Sequence, residues 1–291
     1  MTIQEFLLKN GKTDSWLNLA DQFGITGTNK QKSDKVRRIY DSIQNNVKMH
    51  LVIGCVHAPF HNKILIQKIA SFIQDNKHVL KGFHVCGDFL DLKSLSSHDD
   101  STVDLSGWTL GKEYSEAEKV LNTLIKPLSK DCIKTYIYGN HEFRYENHIK
   151  NIKNYKTSDA IKSPTEGLDL TKKGFSVLRQ WKEDYITVGK YQLFHGQFCN
   201  QTPAKTHTLR GKQSCVFFHT HRVDQFFEKG LHGVNGGSLA DFSSSVFGYA
   251  SRYEKELWQN AFVIILESGD TSQAELVLCN NNSFFYGGKK Y

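Results

Sequence analysis

The sequence predicts an α/β protein in which helices and strands alternate at first and strands dominate later. Short apolar runs that suit buried strands alternate with stretches whose apolar residues recur every three to four positions. In addition, short motifs rich in His, Asp and Asn directly follow five of the predicted strands. This order favours an α/β core whose second half is mostly sheet, with polar side chains gathered at one edge.

The predicted elements begin near Val47, where the apolar pattern changes. Strands are predicted at 50–53, 83–85, 135–138, 191–194, 216–218, 262–266 and 275–278. Helices are predicted at 63–72 and at 113–125, and Pro127 closes the second. The main domain is therefore expected to span residues 47–291.

Residues 1–46 predict a small helical segment ahead of that domain. Asp14 or Ser15 can cap a first helix that Gly24 ends, and Ser33 can start a second. Basic residues lie on or just before the second helix: Lys30, Lys32, Lys35, Arg37 and Arg38. A helix, a glycine turn and a basic helix outline a helix-turn-helix. A helical clasp packed on the main domain is the equal alternative, since any short solvated helix can be basic.

The segment 144–182 is expected to be a basic helical insertion between two core strands. It holds nine Lys or Arg and four Asp or Glu, which gives a local charge of +5. The lysines include Lys150, Lys153, Lys156, Lys172 and Lys173. A lid over the substrate and a solvated excursion are the two interpretations.

Composition sets broad limits on the class of protein. The chain of 291 residues is 39% hydrophobic and 23% charged, without a membrane-length apolar stretch or a secretion signal. A soluble, cytoplasmic protein is expected. The net charge of +7 is compatible with an anionic partner. The six scattered cysteines contain no CxxC pair, which favours reduced thiols over a disulfide framework.

Five short motifs carry the chemistry. They are Cys55-Val56-His57, Gly87-Asp88-Phe89-Leu90-Asp91, Gly139-Asn140-His141-Glu142, His195-Gly196 and His219-Thr220-His221. Strand ends converge at one edge of an α/β sheet, so these side chains are expected to form one cluster. Two divalent cations about 3.5–4 Å apart can clamp a phosphoryl group. Asp88 is the candidate bridging anion, with neutral imidazoles and an amide oxygen completing the ligands.

The order of the motifs closely resembles that of the calcineurin-like metallophosphoesterases, whose pattern is DxH, GDxxD, GNHE, H and GHxH. The resemblance covers about residues 48–291 and implies a four-layer αββα sandwich of two mixed sheets flanked by helices. The run from His57 to His61, which reads HAPFH, resembles phage-type members, as does the basic helical segment ahead of the core. Residues 236–241 and the pair Trp258-Gln259 fit that subgroup less specifically.

The resemblance also implies roles for individual residues. His57 and His221 would hold the first metal, Asp88 would bridge, and the second metal would take Asn140, His195 and His219. His141 would protonate the leaving oxygen or stabilise phosphoryl charge, and Asp91 would hydrogen-bond its imidazole. Attack would come from a metal-bridging hydroxide, and Arg144 would contact phosphate or lie on the surface.

Two positions depart from the family pattern, which has aspartate at Cys55 and glycine at Phe218. A Cys55 thiolate could serve as a ligand of the first metal and favour zinc or iron over magnesium. Alternatively, Cys55 stays a protonated thiol and the first site is weak or empty, or His61 or a water completes the coordination. Phe218 puts the local backbone turn in question. The expected cofactors are two divalent ions, from among manganese, zinc and iron.

The expected function is hydrolysis of a phosphate ester, with nucleic acid or a nucleotide as substrate because of the basic segments. A catalytically inactive module that binds DNA or protein is the alternative, which Cys55 favours and His141 opposes. No membrane partner is expected, the oligomeric state is open, and the phage-type resemblance implies a host cytoplasm.

Overall fold

A six-stranded mixed sheet forms one half of the molecule. The computed structural model describes residues 1–44, 46–96, 107–151 and 161–291. The strands of this sheet are β1 (Lys48–Ile53), β2 (Leu80–Cys86), β3 (Ile133–Ile137), β4 (Phe175–Leu178), β10 (Ala261–Ser268) and β11 (Thr271–Leu278). Their order is β11-β10-β1-β2-β3-β4, and β1 to β4 run parallel. The antiparallel strand β10 pairs with β1 and carries β11 on its outer side.

A five-stranded mixed sheet forms the other half. Its strands are β5 (Ile186–Val188), β6 (Tyr191–Leu193), β7 (Ser214–Phe217), β8 (Val223–Glu228) and β9 (Leu231–Gly236). They lie in the order β5-β6-β7-β9-β8, with β6, β7 and β9 parallel. A two-stranded hairpin of β12 (Phe285–Tyr286) and β13 (Lys289–Lys290) follows near the end of the chain.

The described helices lie outside the two sheets, where some cover a sheet face and others pack mainly against one another. They are α1 (Ile3–Asn10), α2 (Trp16–Gln22), α3 (Asn29–Gln44), α4 (Lys63–Asn76), α5 (Leu110–Ile125), α6 (Phe143–Asn151), α7 (Pro164–Gly167), α8 (Pro203–Gly211) and α9 (Arg252–Glu256). Two short 3₁₀ helices lie at Lys93–Leu95 and Ser245–Phe247. None of the described helices is long and apolar enough to span a membrane.

Successive side chains of β1 pack into two different layers of the protein. Leu51 and Ile53 pack with α4 and α5 in one core, whereas Val52 packs with Val216 and Val234 of the second sheet. Both faces of the strand are therefore buried, as in a sheet covered on both sides. Helix α8 covers the far face of the second sheet through Ala204. The predicted sandwich of two mixed sheets flanked by helices is confirmed.

Helices α1 to α3 form a small cluster of their own, built around Leu7, Leu19 and Val36. Ser15, rather than Asp14, caps α2 by accepting a hydrogen bond from the Asn18 N–H at 3.2 Å. Helix α3 begins at Asn29, four residues before the predicted start at Ser33. The Thr28 side chain and Gln31 exchange hydrogen bonds at this end, which is a capping arrangement that starts the helix early.

The basic side chains of α3 are mostly engaged in contacts. The pairs are Lys32 with Asp21 at 2.6 Å, Lys35 with Asp75 at 3.2 Å, Arg37 with Asp41 at 3.7 Å and Arg38 with the Gly287 carbonyl at 3.0 Å. Two of these partners, Asp75 and Gly287, belong to α4 and the C-terminal hairpin. The contacts favour the clasp over a basic helix free to read DNA.

The segment 144–182 differs from the predicted insertion in its last part. Phe175 of β4 is buried against the rings of Phe83 and Tyr136, so this stretch is an edge strand of the core sheet. This short run lies between basic residues, Lys172 and Lys173 before it and Arg179 after it, so the sequence favoured a helical insertion over a strand. Lys153 and Lys156 lie outside the described residues. Strand β8 escaped prediction for a related reason, because most of its side chains are polar or exposed.

Candidate metal centre

The predicted site residues lie at the carboxyl ends of strands from both sheets. Cys55 and His57 follow β1, Asp88 and Asp91 follow β2, and Asn140 and His141 follow β3. His195 follows β6, and His219 and His221 follow β7. Packing of the two sheets brings these ends together, and hydrogen bonds between the loops join them. The result is a buried cluster of sulfur, nitrogen and oxygen atoms.

The backbone at this edge is turned sharply. Cys55, His57, Asp88, His219 and His221 all have positive φ, between 47° and 77°. Such angles are uncommon for residues with a Cβ and persist where the surrounding structure imposes them. Here the turn aims successive side chains of each loop into the same space between the sheets.

A first donor group consists of Cys55, His57 and His221. One ligand atom from each lies within 4.8 Å of the others, and all three residues are buried. The two Nε2 atoms of His57 and His221 are 2.9 Å apart. His57 Nδ1 donates to Asp91 Oδ2 at 3.0 Å, which orients the ring so that Nε2 faces His221.

Asp88 joins this group to a second one. It belongs with Cys55 and His195 in one set of converging ligand atoms, and with His57 and His141 in another. Its Oδ2 lies 3.1 Å from His195 Nε2, while Oδ1 accepts the His141 backbone N–H at 2.9 Å. This central placement suits an anion that is shared between two cations.

The second donor group contains Asn140, His195 and His219. His195 Nε2 lies 3.0 Å from Asn140 Oδ1 and 3.2 Å from His219 Nδ1. The other ring nitrogen, His195 Nδ1, donates to the Cys86 carbonyl at 2.9 Å. That hydrogen bond fixes the ring so that Nε2 faces the centre, as an outer partner does for a ligating histidine.

The donor set fits divalent cations. When His195 is neutral, its Nδ1–H donates to the Cys86 backbone carbonyl. The lone pair on Nε2 then faces the oxygens of Asp88 and Asn140. Lone pairs facing one another repel unless a cation or a second proton lies among them. Neutral imidazole, carboxylate, amide oxygen and, once deprotonated, the cysteine sulfur are ligands that suit zinc, iron and manganese between them.

Burial sets the protonation of these ligands. It lowers the pKa of His219 to about 3 and that of His221 well below its usual range, so both imidazoles are neutral near pH 7. Burial alone would raise the pKa of Asp88, but its interactions with His195 and His141 outweigh that effect and hold the pKa well below normal. Burial also opposes protonation of His195, but Asp88 outweighs it and raises the pKa of that imidazole. The site therefore offers an ionised Asp88 carboxylate together with neutral imidazoles at His219 and His221.

The predicted hydrogen bond between the Asp91 carboxylate and the His141 imidazole is not the one that the structure shows. The Asp91 carboxylate hydrogen-bonds His57 at 3.0 Å, not His141, whose Nδ1 is 3.6 Å from Asp91 Oδ2. His141 Nδ1 instead donates to the backbone carbonyl of Asp91 at 2.7 Å. Asp91 thus orients two imidazoles, one through its side chain and one through its backbone. Sequence spacing could not distinguish these atoms.

His141 and Arg144 meet at the border of the centre. Arg144 Nη1 donates to the Asp91 carbonyl at 2.8 Å, and Nη2 lies 3.1 Å from His141 Nε2. Burial lowers the pKa of His141 to about 4; Asp88 opposes this shift and Arg144 adds to it. Arg144 is therefore tied to the site and is not a free surface residue, which was one of its two predicted placements.

Cys55 occupies the position where the family pattern has aspartate. Its Sγ accepts the backbone N–H of His219 at 3.1 Å, and burial raises the pKa of the thiol well above its usual value. The sulfur nevertheless converges with ligand atoms of both donor groups. His61, the alternative ligand, belongs to none of the converging groups found among the described residues.

Phe218 is fully buried between two glycines. A Cβ at Gly54 would lie 2.5 Å from the Phe218 ring, and one at Gly236 would also collide with it. The ring of Phe218 therefore fits because both neighbouring positions are glycine. The turn into His219 is kept, since His219 has the positive φ of 77°.

Glu142 joins two of the loops that carry the site residues. This buried carboxylate accepts the backbone N–H groups of Asp88, Leu90 and Gly139 at 2.8 to 2.9 Å. It also accepts the Tyr136 hydroxyl at 2.8 Å. Glu142 therefore ties the loop after β2 to the loop after β3 and fixes the position of Asp88.

Aromatic rings that the motifs did not identify border the centre. Trp258 packs edge-to-face on His221 with ring centroids 4.7 Å apart, and Phe247 packs similarly on His57 at 5.5 Å. On the other side, Trp181 lies 6.1 Å from His219. No spacing rule connects these residues, which come from loops far apart in the sequence.

Comparisons with known proteins give only distant likenesses. No protein-family model matches the chain, and no curated protein matches its sequence. Among solved structures, vacuolar protein sorting 29 from Cryptosporidium parvum has a TM-score of 0.42 at 12% identity, covering 84% of this chain and 95% of that one. Vps29 complexed with zinc from Entamoeba histolytica has a TM-score of 0.40 at 11% identity, covering 84% and 96%. The phosphoesterase YfcE from E. coli has a TM-score of 0.37 at 13% identity, covering 82% and 97%. Likenesses this low transfer neither a site nor an activity.

Proposed function

We propose that this chain is a metal-dependent phosphoesterase of the calcineurin-like type, with a site for two divalent cations. The observation that carries the proposal is the position of Asp88, whose carboxylate is shared between converging groups on both sides. Cys55, His57 and His221 would hold one cation, and Asn140, His195 and His219 the other. When bound, the cations would neutralise phosphoryl oxygens and lower the pKa of a nucleophilic water.

His141 supplies the proton chemistry in this proposal. Its Nδ1 proton is held by the Asp91 carbonyl at 2.7 Å, so Nε2 carries the lone pair, which accepts a hydrogen bond from Arg144 Nη2 at 3.1 Å. With its low pKa, Nε2 is unprotonated near pH 7. It can take a proton from the attacking water and return it to the leaving ester oxygen.

Arg144 is proposed to bind the substrate phosphate. The guanidinium already donates to the Asp91 carbonyl, and its Nη2 hydrogen bond to His141 Nε2 is the one that an entering oxygen would take over. A charge-assisted hydrogen bond to phosphate is stronger than one to a neutral imidazole. Substrate entry would thereby free Nε2 for proton transfer.

Nucleic acid or a nucleotide is the proposed substrate. The net charge of +7 and the exposed lysines near the site, such as Lys150 and Lys182, support an anionic polymer as partner. The paired side chains of α3 give no added support, so the proposal rests on the main domain.

The test is hydrolysis of bis-p-nitrophenyl phosphate and the matching monoester by metal-stripped protein refilled with manganese, zinc, iron or magnesium. We expect metal-dependent turnover and two ions per chain. Folded protein that binds fewer than two ions and hydrolyses neither ester would instead favour the non-catalytic binding module, the function that Cys55 in place of aspartate would suit.

A further inference from the structure

One aromatic surface borders the first donor group and reaches solvent. Trp258 packs on the metal-site histidine His221 and contacts Phe242 at 5.3 Å and Tyr249 at 6.4 Å between ring centroids. Tyr249 is 63% exposed, and it also lies 6.5 Å from the buried ring of Phe247. We call Phe242, Tyr249 and Trp258 the Tyr249 shelf.

A second aromatic surface borders the other donor group. Trp181 lies 6.1 Å from His219, and its indole N–H donates to the Gly196 carbonyl at 3.0 Å, next to His195. The Phe143 ring is 6.3 Å from Trp181. We call Trp181 and Phe143 the Trp181 shelf.

Lysines lie over the rings of the Trp181 shelf. Lys182 Nζ is 5.0 Å from the Trp181 ring, and Lys150 Nζ is 5.5 Å from the Phe143 ring. A surface that alternates aromatic rings with cations suits a ligand with flat, stackable groups on an anionic backbone. An acyl chain would gain nothing from the two ammonium groups.

Each donor group has one shelf beside it, since Trp258 of the Tyr249 shelf packs on His221 and Trp181 packs near His219. A phosphate held at the candidate centre would have one aromatic surface beside each of its two ester substituents. We infer that each shelf stacks one nucleobase, and that the substrate is a phosphodiester linking two nucleosides of a single-stranded nucleic acid. This inference rests on the proposed function, because it describes the ligand of that site.

Two consequences separate this substrate from other phosphate esters. A monoester can occupy only one shelf, so diesters are preferred over monoesters. In a duplex the bases are already stacked and paired, so single strands are preferred as well. Little base specificity is expected, because every base offers a flat face.

The decisive measurement compares two ligands that differ only in their bases. Full-length protein carrying His141→Ala, which slows turnover, is titrated with fluorescent oligothymidylate and with an abasic deoxyribose-phosphate strand of equal length. We expect the base-bearing strand to bind about tenfold more tightly or better. Tyr249→Leu in this background should remove most of that preference, whereas Tyr249→Phe should keep it.

Phe227→Leu is the matched control. Phe227 is 68% exposed but lies on β8 beside His232, at the sheet edge away from the donor groups. It should leave the preference unchanged. Equal binding of both strands, or loss of preference in Tyr249→Phe as severe as in Tyr249→Leu, would overturn the stacking inference.

Hydrolysis distinguishes failure of this inference from failure of the proposed function. Turnover of bis-p-nitrophenyl phosphate without any preference for the base-bearing strand would overturn the inference and leave the phosphoesterase proposal standing. A tenfold preference in binding, with no ester hydrolysed by wild-type protein, would support the shelves and overturn the enzyme.

Discussion

Cys55 and His219 are joined across the two sheets by a hydrogen bond from the His219 backbone N–H to the Cys55 sulfur at 3.1 Å. Cys55 follows β1 of the first sheet and His219 follows β7 of the second. The bond places the sulfur beside the ligands of both proposed cations. Because a backbone N–H stabilises negative charge on sulfur, it also favours the thiolate that a metal would bind.

Replacing Cys55 with Asp should change the metal preference of the protein. Wild-type protein loaded with cobalt(II) is expected to show a near-ultraviolet thiolate-to-cobalt charge-transfer band, and Cys55→Asp should lose it. Because carboxylate is the harder ligand, the variant should shift its preference from zinc or iron toward manganese and magnesium. Cys132→Ser is the control, since Cys132 lies outside the converging groups. An unchanged cobalt spectrum in Cys55→Asp would rule out the sulfur as a ligand.

His141→Ala should lower kcat for a phosphodiester by about 10²–10⁴-fold, because it removes the proposed proton carrier. Bound metal per chain should stay the same, as His141 is not a proposed ligand. Steady-state kinetics and metal analysis on one preparation measure both. His148→Ala, on α6, serves as the control. A loss of metal equal to the loss of activity would assign His141 to the metal site instead.

Glu142→Gln should destabilise the protein by about 2–4 kcal/mol. The buried carboxylate accepts four hydrogen bonds, and an amide group would turn its NH₂ toward two of those donors. Metal affinity should fall too, because Asp88 loses its support. Urea denaturation and metal titration check this, with the exposed Glu228→Gln as control. Full stability in Glu142→Gln would contradict the account.

Phe218→Ala should cost about 3–5 kcal/mol of unfolding free energy, because it leaves a cavity between Gly54 and Gly236. Phe218→Gly should be at least as costly. Denaturant unfolding measures the effect, and Phe285→Ala, at a ring that is 69% exposed, should change stability by less than about 0.5 kcal/mol. Equal losses in both variants would show that the glycines do not define a pocket for the ring.

Asp75→Asn should weaken the attachment of α3 and the C-terminal residues to α4. Asp75 accepts hydrogen bonds from Lys35 and the Tyr291 hydroxyl, each at 3.2 Å, and from Lys289. Burial alone would raise the pKa of Asp75, but Lys289 and Lys35 outweigh it and lower that pKa below 3.8. The expected loss at pH 7 is about 1–2 kcal/mol.

The pH dependence of the Asp75→Asn effect has a definite sign. A carboxyl group with a lowered folded-state pKa contributes stability above its unfolded pKa and loses it as pH falls through the folded value. The difference between wild type and Asp75→Asn should therefore shrink below about pH 3.9, the usual aspartate value. Asp131→Asn, at an exposed ion pair with Lys81, should cost under about 0.5 kcal/mol at pH 7. A difference that persists undiminished in acid would exclude the charge as its source.

The sequence alone determined seven of the eleven described strands in the two sheets and the polar motifs that follow five of them. These seven strands are apolar runs, so their position can be predicted from local pattern. The meeting of Cys55 and Asp88 follows from the rule that parallel strands place their carboxyl ends at one edge, whereas His195 reaches them through the packing of the second sheet. Strands β4, β5 and β8 are short or solvent-facing, and β9 is interrupted by glycine, so these four were not predicted.

Only the tertiary structure decided which atoms meet. In the folded protein the Asp91 carboxylate hydrogen-bonds His57, and basic residues of α3 form ion pairs such as Lys35 with Asp75. Phe218 lies between two glycines. The tertiary structure also brought Tyr249 and Trp181 to the borders of the same centre, although about 70 residues separate them in the chain. A sequence pattern shows only how apolar residues are spaced along a single helix or strand. Contacts between loops depend on how two sheets pack, and that is set by the whole core.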